Sequence, residues 1–270
     1  FNMAGTEIGT FNDRLRDGIR GGKFFSNNSE DTDVFKQQDI IKIGLAGSLA
    51  DYVLKSASGT SVLGSAFSPN MYAKDPADVI NYISKHDNES LWDQLQFTLA
   101  PTMGMQDRVR AQNVSQSIVL LSQGIPFKLT TSADIVNRVG FHNIGKNQTQ
   151  GLIVMSIDDG TGVDDLDPSN DAIVVVVNGS NTTLSHTVPT AEGFSLHGAL
   201  LASVDSTVAN ASFNQGEGEG TFTVPALTTA VFVKVQGEQQ GTGLSAIATA
   251  GAPDVVPFGD TTVYVRGGMN

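Results

Sequence analysis

His86-Asp87-Asn88 sets two titratable side chains and an amide on consecutive residues. Just before them, residues 79–84 read as a short strand, with Val79, Tyr82 and Ile83 supplying β-branched and aromatic bulk. Just after them a helix is predicted. Ser90 is placed to cap it, and Leu91, Leu95 and Leu99 fall at i, i+4 and i+8 on one face. Titratable groups between the carboxyl end of a buried strand and a helix sit where β/α folds keep their chemistry. Asp87 and Asn88 could equally do no more than turn the chain into the helix cap. Both readings stand on these residues alone.

The elements around this stretch alternate. Asn12 or Asp13 can cap a helix whose Phe11, Leu15 and Ile19 share a face, and Gly21-Gly22 would end it. Residues 23–33 read as a polar loop, and a second helix follows from about Val34, with Val34, Ile41 and Leu45 at heptad-like spacing. Residues 56–76 read as an irregular insertion. Beyond Leu99, Asp107 is the expected cap of a helix burying Val109, Val114, Ile118 and Leu121, and Ile125-Pro126-Phe127 is a brief strand. Strand and helix in this order follow a β/α barrel pattern, of which a complete copy needs about 250 residues. Past Phe127 the pattern becomes all-β. Residues 135–141, 152–157, 173–177, 222–224 and 231–235 read as strands between Gly, Asn, Asp and Ser turns, a sandwich signature. The expected fold class is therefore α/β plus all-β: the C-terminal part of a (β/α)8 barrel, then an antiparallel β-sandwich. The expected boundaries are 1–127 for the partial barrel, 128–236 for the sandwich, 237–254 for a Gly-, Ala- and Gln-rich linker, and 255–270 for the start of another β module. In that last piece Thr261-Thr262-Val263-Tyr264-Val265-Arg266, with Gly267-Gly268-Met269-Asn270, resembles the opening strand of a carbohydrate-binding module. A partial barrel leaves open sheet edges, so residues 1–127 are expected to be unstable alone while 133–236 could fold by themselves.

Composition narrows the partners. A net charge of −12 argues against nucleic acid and against anionic membrane surfaces, while a neutral ligand is compatible with it. No apolar run approaches the length of a membrane span, and without cysteine there are neither disulfides nor thiolate metal sites. Other candidate sites are weaker. Asp158, Asp159, Asp164, Asp165, Asp167 and Asp171 could in principle hold Ca²⁺, but their spacing is not that of an EF-hand, and a solvated acidic turn is the better reading. His142, His186 and His197 lack metal-ligand spacing. Residues 216–220 lack the Lys and the strand–helix setting of a phosphate loop. Trp92 could stack on a sugar, although its place in a helix favours packing.

Three blocks carry a resemblance: Ile8-Gly9-Thr10-Phe11-Asn12-Asp13-Arg14-Leu15-Arg16-Asp17; His86-Asp87-Asn88 with Leu91-Trp92-Asp93; and Gly124-Ile125-Pro126-Phe127. Their order and spacing resemble the α-amylase clan of glycoside hydrolases and, more narrowly, bacterial pullulanases, which cleave α-1,6 links in branched α-glucans. Residues 151–160 resemble the β domain that follows the barrel in that family. The likeness implies Asp87 as transition-state stabiliser and His86 and Asn88 as substrate-binding residues, His86 hydrogen-bonding the sugar hydroxyls at the cleaved residue and Asn88 orienting its neighbours. It also implies no required cofactor, a monomer acting on an α-glucan, and an extracellular or cell-surface location.

Retaining glycosidases need a nucleophile and a general acid besides such a stabiliser. In the family these lie on strands upstream of the block that opens this chain. Glu7 is not set in the acid motif, and Asp13 and Asp17 belong to the following helix. The family also carries a loop-rich segment and a closing helix where this chain passes within a few residues from Phe127 to Ala133. The expectation is a fragment with an internal gap, inactive by itself. The alternative is a noncatalytic carbohydrate-binding or structural piece.

Overall fold

The computed structural model describes residues 3–21, 23–25, 33–68, 70–86, 88–123 and 129–244. A mixed α/β region comes first. Strand β1 (Thr10–Phe11) leads through Asn12 into helix α1 (Asp13–Arg20), whose Leu15 and Ile19 are fully buried. Asn12 is the N-cap, its side-chain oxygen accepting from the Leu15 amide. Phe11 does not share the buried face; it is 55% exposed. Within the polar loop expected after α1, a short 3₁₀ turn buries Phe24 and Phe25.

Helix α2 (Asp33–Leu45) buries Val34, Ile41 and Leu45, as its spacing predicted. The insertion is more ordered than expected. A hairpin of β2 (Val53–Lys55) and β3 (Ser61–Leu63) is followed by the one-turn α3 (Gly64–Phe67). Strand β4 (Val79–Ile80) then pairs with β1 in parallel, Thr10 opposite Val79 and Phe11 opposite Ile80. The strand stops at Ile80, short of Ser84, and the side chain of the next residue, Asn81, bonds to Ser122 and Gln123. The third strand expected in this region, at residues 125–127, lies outside the described residues.

Helix α4 (Leu91–Thr98) buries Leu91 and Leu95, and Leu99 follows them into the core. Helix α5 (Met105–Leu121) starts earlier than expected, with Gly104 and not Asp107 at its N-cap. Its buried face is Arg108, Ala111, Val114, Ser115 and Ile118, while Val109 is exposed. Arg108 accounts for this rotation. Its guanidinium donates to the carbonyls of Leu95, Ala100 and Met103, adding side-chain donors at the negative C-terminal end of α4 and its loop.

Antiparallel sheets make up the rest. Residues 135–138, expected as strand, belong to helix α6 (Ser132–Arg138), with Thr131 capping the Asp134 amide. Strand β5 (Val139–Phe141) follows. A five-stranded sheet orders β5, β6 (Leu152–Asp158), β7 (Asn170–Asn178), β12 (Thr228–Val235) and β9 (Ser195–Leu196). A three-stranded sheet orders β10 (Ser212–Gln215), β11 (Glu219–Val224) and β8 (Leu184–Pro189). One-turn helix α7 (Gly198–Leu201) lies between β9 and β10.

The five-stranded sheet is buried on both sides. Leu152, Val154, Val174, Val176 and Phe232 pack against Phe222, Val188 and Val224 of the smaller sheet. Ile153, Met155, Val175 and Val177 share a second cluster with Leu15, Ile41, Leu45, Val114 and Ile118 of the helices. The result is three layers: helices, a large sheet, a small sheet. That double burial is why β6 and β7 read as unbroken apolar runs. The start of the expected linker is also docked: Leu244 is fully buried, and Gln240 donates to the carbonyls of Asp159, Gly160 and Val163. Residues 245–270, including the expected β module, lie outside the described residues.

Candidate functional site

Asn12 directly follows β1 and Asn81 directly follows β4, so both stand at the carboxyl ends of the parallel pair. Both are buried. The Asn12 amide donates to Ser48 Oγ at 2.8 Å and to Asn81 Oδ1 at 2.7 Å. The Asn81 amide donates in turn to Ser122 Oγ at 2.8 Å and to the Gln123 carbonyl at 2.6 Å. Ser48 reaches this ring because Gly47 and Ser48 both take positive φ, +76° and +52°. One polar chain therefore ties the end of β1, the end of β4 and the exit of α5 together. Sequence reading missed it, since a lone Asn after a strand signals only a turn.

A second layer lies outside this ring. The Tyr82 hydroxyl is held between the Asp13 carboxylate and the Arg16 guanidinium. Arg16 also pairs with Asp13 at 3.0 Å and Asp17 at 2.7 Å. Burial, and then the bond to Asp13, pushes the Tyr82 phenol up to about 12, so it stays protonated. The Phe11 ring meets the Tyr82 ring edge to face at 5.1 Å, and the Lys85 ammonium lies 4.5 Å from the Phe11 ring centre.

From Tyr82 the chain runs into the 84–90 loop, which is pinned at its margins. Ser84 Oγ accepts from the Leu91 amide at 3.2 Å. Arg20 donates to the Glu89 carbonyl at 3.2 Å and lies 3.6 Å from its carboxylate. Ser90 caps α4 by accepting from the Asp93 amide. Between these fixed points His86 and Asn88 are exposed. Asp87 lies outside the described residues. The structure thus puts His86 and Asn88 on one loop beyond the carboxyl end of β4. Trp92, in the first turn of α4, is half-buried.

The remaining candidates have structural partners. Asp159 and Asp171 are buried, against the expectation of a solvated turn. Asp159 pairs with Arg138 and accepts from the Leu166 and Asp167 amides; Asp158 accepts from Gly160 and Leu244, and Asp171 from Gly241. These carboxylates fold their own loop and hold residues 241–244 against the sheet. Among the described residues, no three of His, Asp and Glu are grouped to hold a metal ion. His142, half-buried, bonds to Ser156 Oγ at 2.7 Å, and desolvation pushes its imidazole down to about 4. His197 accepts from the Ala199 amide and caps α7. No helix among the described residues is long and apolar enough to cross a membrane.

Residues 84–235 match the family model described as alpha-1,6-glucosidases, pullulanase-type, C-terminal. The pullulanase of Klebsiella pneumoniae is 28% identical over an alignment covering 90% of this chain and 33% of that protein. That alignment runs over 361 positions, so about 120 of them have no counterpart in this 270-residue chain. The pullulanase of Klebsiella aerogenes is 36% identical over 64% of this chain and 19% of its own length. The crystal structure of the Klebsiella pneumoniae enzyme complexed with maltotriose superposes with a TM-score of 0.80 at 27% identity, covering 90% of this chain and 34% of that one. The chain spans between about a fifth and a third of these longer relatives, and within that span the likeness takes in helices and both sheets. On the family match, which takes in more than half of its residues, the chain belongs to the pullulanase-type alpha-1,6-glucosidases and carries their C-terminal region.

Proposed function

We propose that this chain supplies the substrate-side loop of an α-1,6-glucan debranching site, in which the parallel pair β1/β4 belongs to the C-terminal part of a (β/α)8 barrel. Asp87 is the transition-state stabiliser, and His86 and Asn88 hold the hydroxyls of the sugar being cleaved. The observation that carries this reading is the placement of the His86–Asn88 loop beyond the carboxyl end of β4, braced by Arg20 and the α4 cap, in a chain of pullulanase-type sequence. The glycosidic transition state resembles an oxocarbenium ion, so a fixed carboxylate beside the ring lowers its energy. Branched α-glucans such as pullulan or starch are the proposed substrates. Maltotriose, bound by the Klebsiella pneumoniae relative, is the proposed short ligand. The proposed setting is outside the cell or at its surface.

Hydrolysis needs two further carboxyl groups, one as nucleophile and one as acid. Those described near the loop already have partners: Asp13 with Tyr82 and Arg16, Asp17 with Arg16, Glu89 with Arg20, Asp93 with Ser90. This observation favours a second reading in which the 270-residue chain binds glucan without cleaving it. One pair of measurements separates the two. Affinity electrophoresis in pullulan should retard the chain, and a reducing-end assay on the same preparation should show no product. Measurable pullulan hydrolysis by the chain alone would overturn the noncatalytic reading; unretarded migration would overturn both.

A further inference from the structure

We propose that Phe11 is a stacking platform for a glucose ring, set beside the His86–Asn88 loop. The proposal rests on the glucan-binding reading above and names a residue that would meet the sugar. Phe11 is the last residue of β1 and lies at the carboxyl end of the parallel pair, yet it is 55% exposed. Strands usually turn rings of this size inward, where burying one contributes about 1.5 to 3 kcal/mol. Its exposure is not looseness. The Tyr82 ring meets it at 5.1 Å and 64°, and the Lys85 ammonium stands 4.5 Å from its centre. Tyr82 is itself only 9% exposed and is fixed through its hydroxyl by Asp13 and Arg16. Each contact immobilises the next, from helix α1 to Tyr82 to Phe11.

A ring held in this way is organised before any ligand arrives, and less rotamer freedom is lost on binding. Its faces carry partial negative charge, and the C–H groups on the flat side of a pyranose carry the complementary sign. Lys85 is adjacent to His86 in sequence, so the ammonium on the ring also marks how near the loop passes. Beyond Lys85 the same loop carries the exposed His86 imidazole and Asn88 amide, groups that can bond sugar hydroxyls. An open aromatic surface with a few convergent polar groups suits a neutral, polyhydroxylated ligand.

The test is titration of the full 270-residue chain with maltotriose by calorimetry, comparing the unaltered protein with Phe11→Leu, Phe11→Trp and His86→Ala. Leucine keeps apolar area but has no ring, so Phe11→Leu should weaken binding about tenfold, while Phe11→Trp should stay within about twofold. Thermal midpoints should fall by no more than a few degrees, since the change removes only the edge contact with Tyr82. Equal binding by the Leu and unaltered chains, or equal loss in the Leu and Trp chains, overturns the platform. Binding that survives Phe11→Leu but is lost in His86→Ala overturns the platform and leaves the loop reading in place. Binding lost in Phe11→Leu but unchanged in His86→Ala keeps the platform and removes His86 from the sugar. An unaltered chain that does not bind maltotriose overturns platform and loop together.

Discussion

His142 and His86 are the same side chain with opposite settings. His86 is exposed on its loop and free to meet a ligand. His142 is half-buried just past the edge strand β5, 2.7 Å from Ser156 Oγ, where desolvation, and secondarily His186, holds its imidazole down at about 4 from an ordinary 6.5. A group with a depressed folded pKa takes up a proton more readily when the chain unfolds. Its stabilising effect is therefore complete above about pH 6.5 and is lost as pH falls toward 4. Denaturation midpoints of the unaltered chain should drop across that window more steeply than those of a His142→Gln variant. Carboxylates titrate in both proteins, so the difference between the two curves isolates His142. Parallel curves would show that His142 is not buried in its neutral form.

At the scale of elements, the ends of the two parallel strands are tied together by side-chain amides. Asn81→Leu removes the donor to Ser122 and Gln123 and the acceptor for Asn12, taking the side-chain donor from the Gln123 carbonyl and leaving Asn12 and Ser122 each one bond short in a buried setting. Such groups cost about 1 to 3 kcal/mol each, so the variant should lose about 2 to 4 kcal/mol in urea denaturation. Maltotriose binding should weaken with it, because the same ring sets where the strand ends and the 84–90 loop begins. A loss below about 0.5 kcal/mol, typical of a neutral surface change, would contradict the tie between the strand ends. Much of this region could be read ahead of the structure. Leu91, Leu95 and Leu99 mark α4 because one face of an isolated amphipathic helix is buried, and the runs in β6 and β7 mark strands covered on both sides. Ile135 misled because its apolar neighbours look like a strand, while the capping hydroxyl of Thr131 and the ion pairs of Arg138 make those residues α6. Strand β8 went unread because its inward residues, Leu184, His186 and Val188, include a histidine. The loop at the end of β4 was legible from sequence order alone. The bonds that place it were not, since they join residues up to 69 positions apart.

For the whole molecule, the decisive feature is that the large sheet has no solvent face of its own. Its helix-facing residues, including Val139, Phe141, Ile153, Met155, Val175 and Val177, are at most 2% exposed because they share a core with α1, α2, α4 and α5. A buried polar cluster reinforces the same seam. Lys42 of α2, fully buried, reaches Asp39 at 3.2 Å and Gln148 at 2.7 Å, and Gln38 bonds Gln148 and the Gly151 amide. Residues 133–236 read from sequence as a sandwich able to fold alone, but excision would uncover six large apolar side chains and deprive Gln148 of its partners. At about 1.5 to 3 kcal/mol per side chain, the loss is on the order of 10 kcal/mol, as large as the whole stability of an ordinary domain. Residues 129–244 expressed alone should therefore bind a hydrophobic dye and lack a cooperative unfolding transition. The full chain should unfold in one step, with amides of α2 and β6 equally protected from hydrogen exchange, because neither layer keeps its core when the other leaves. A monomeric 129–244 that melts cooperatively would show instead that the sheets hold themselves together and that the helices are only docked on them.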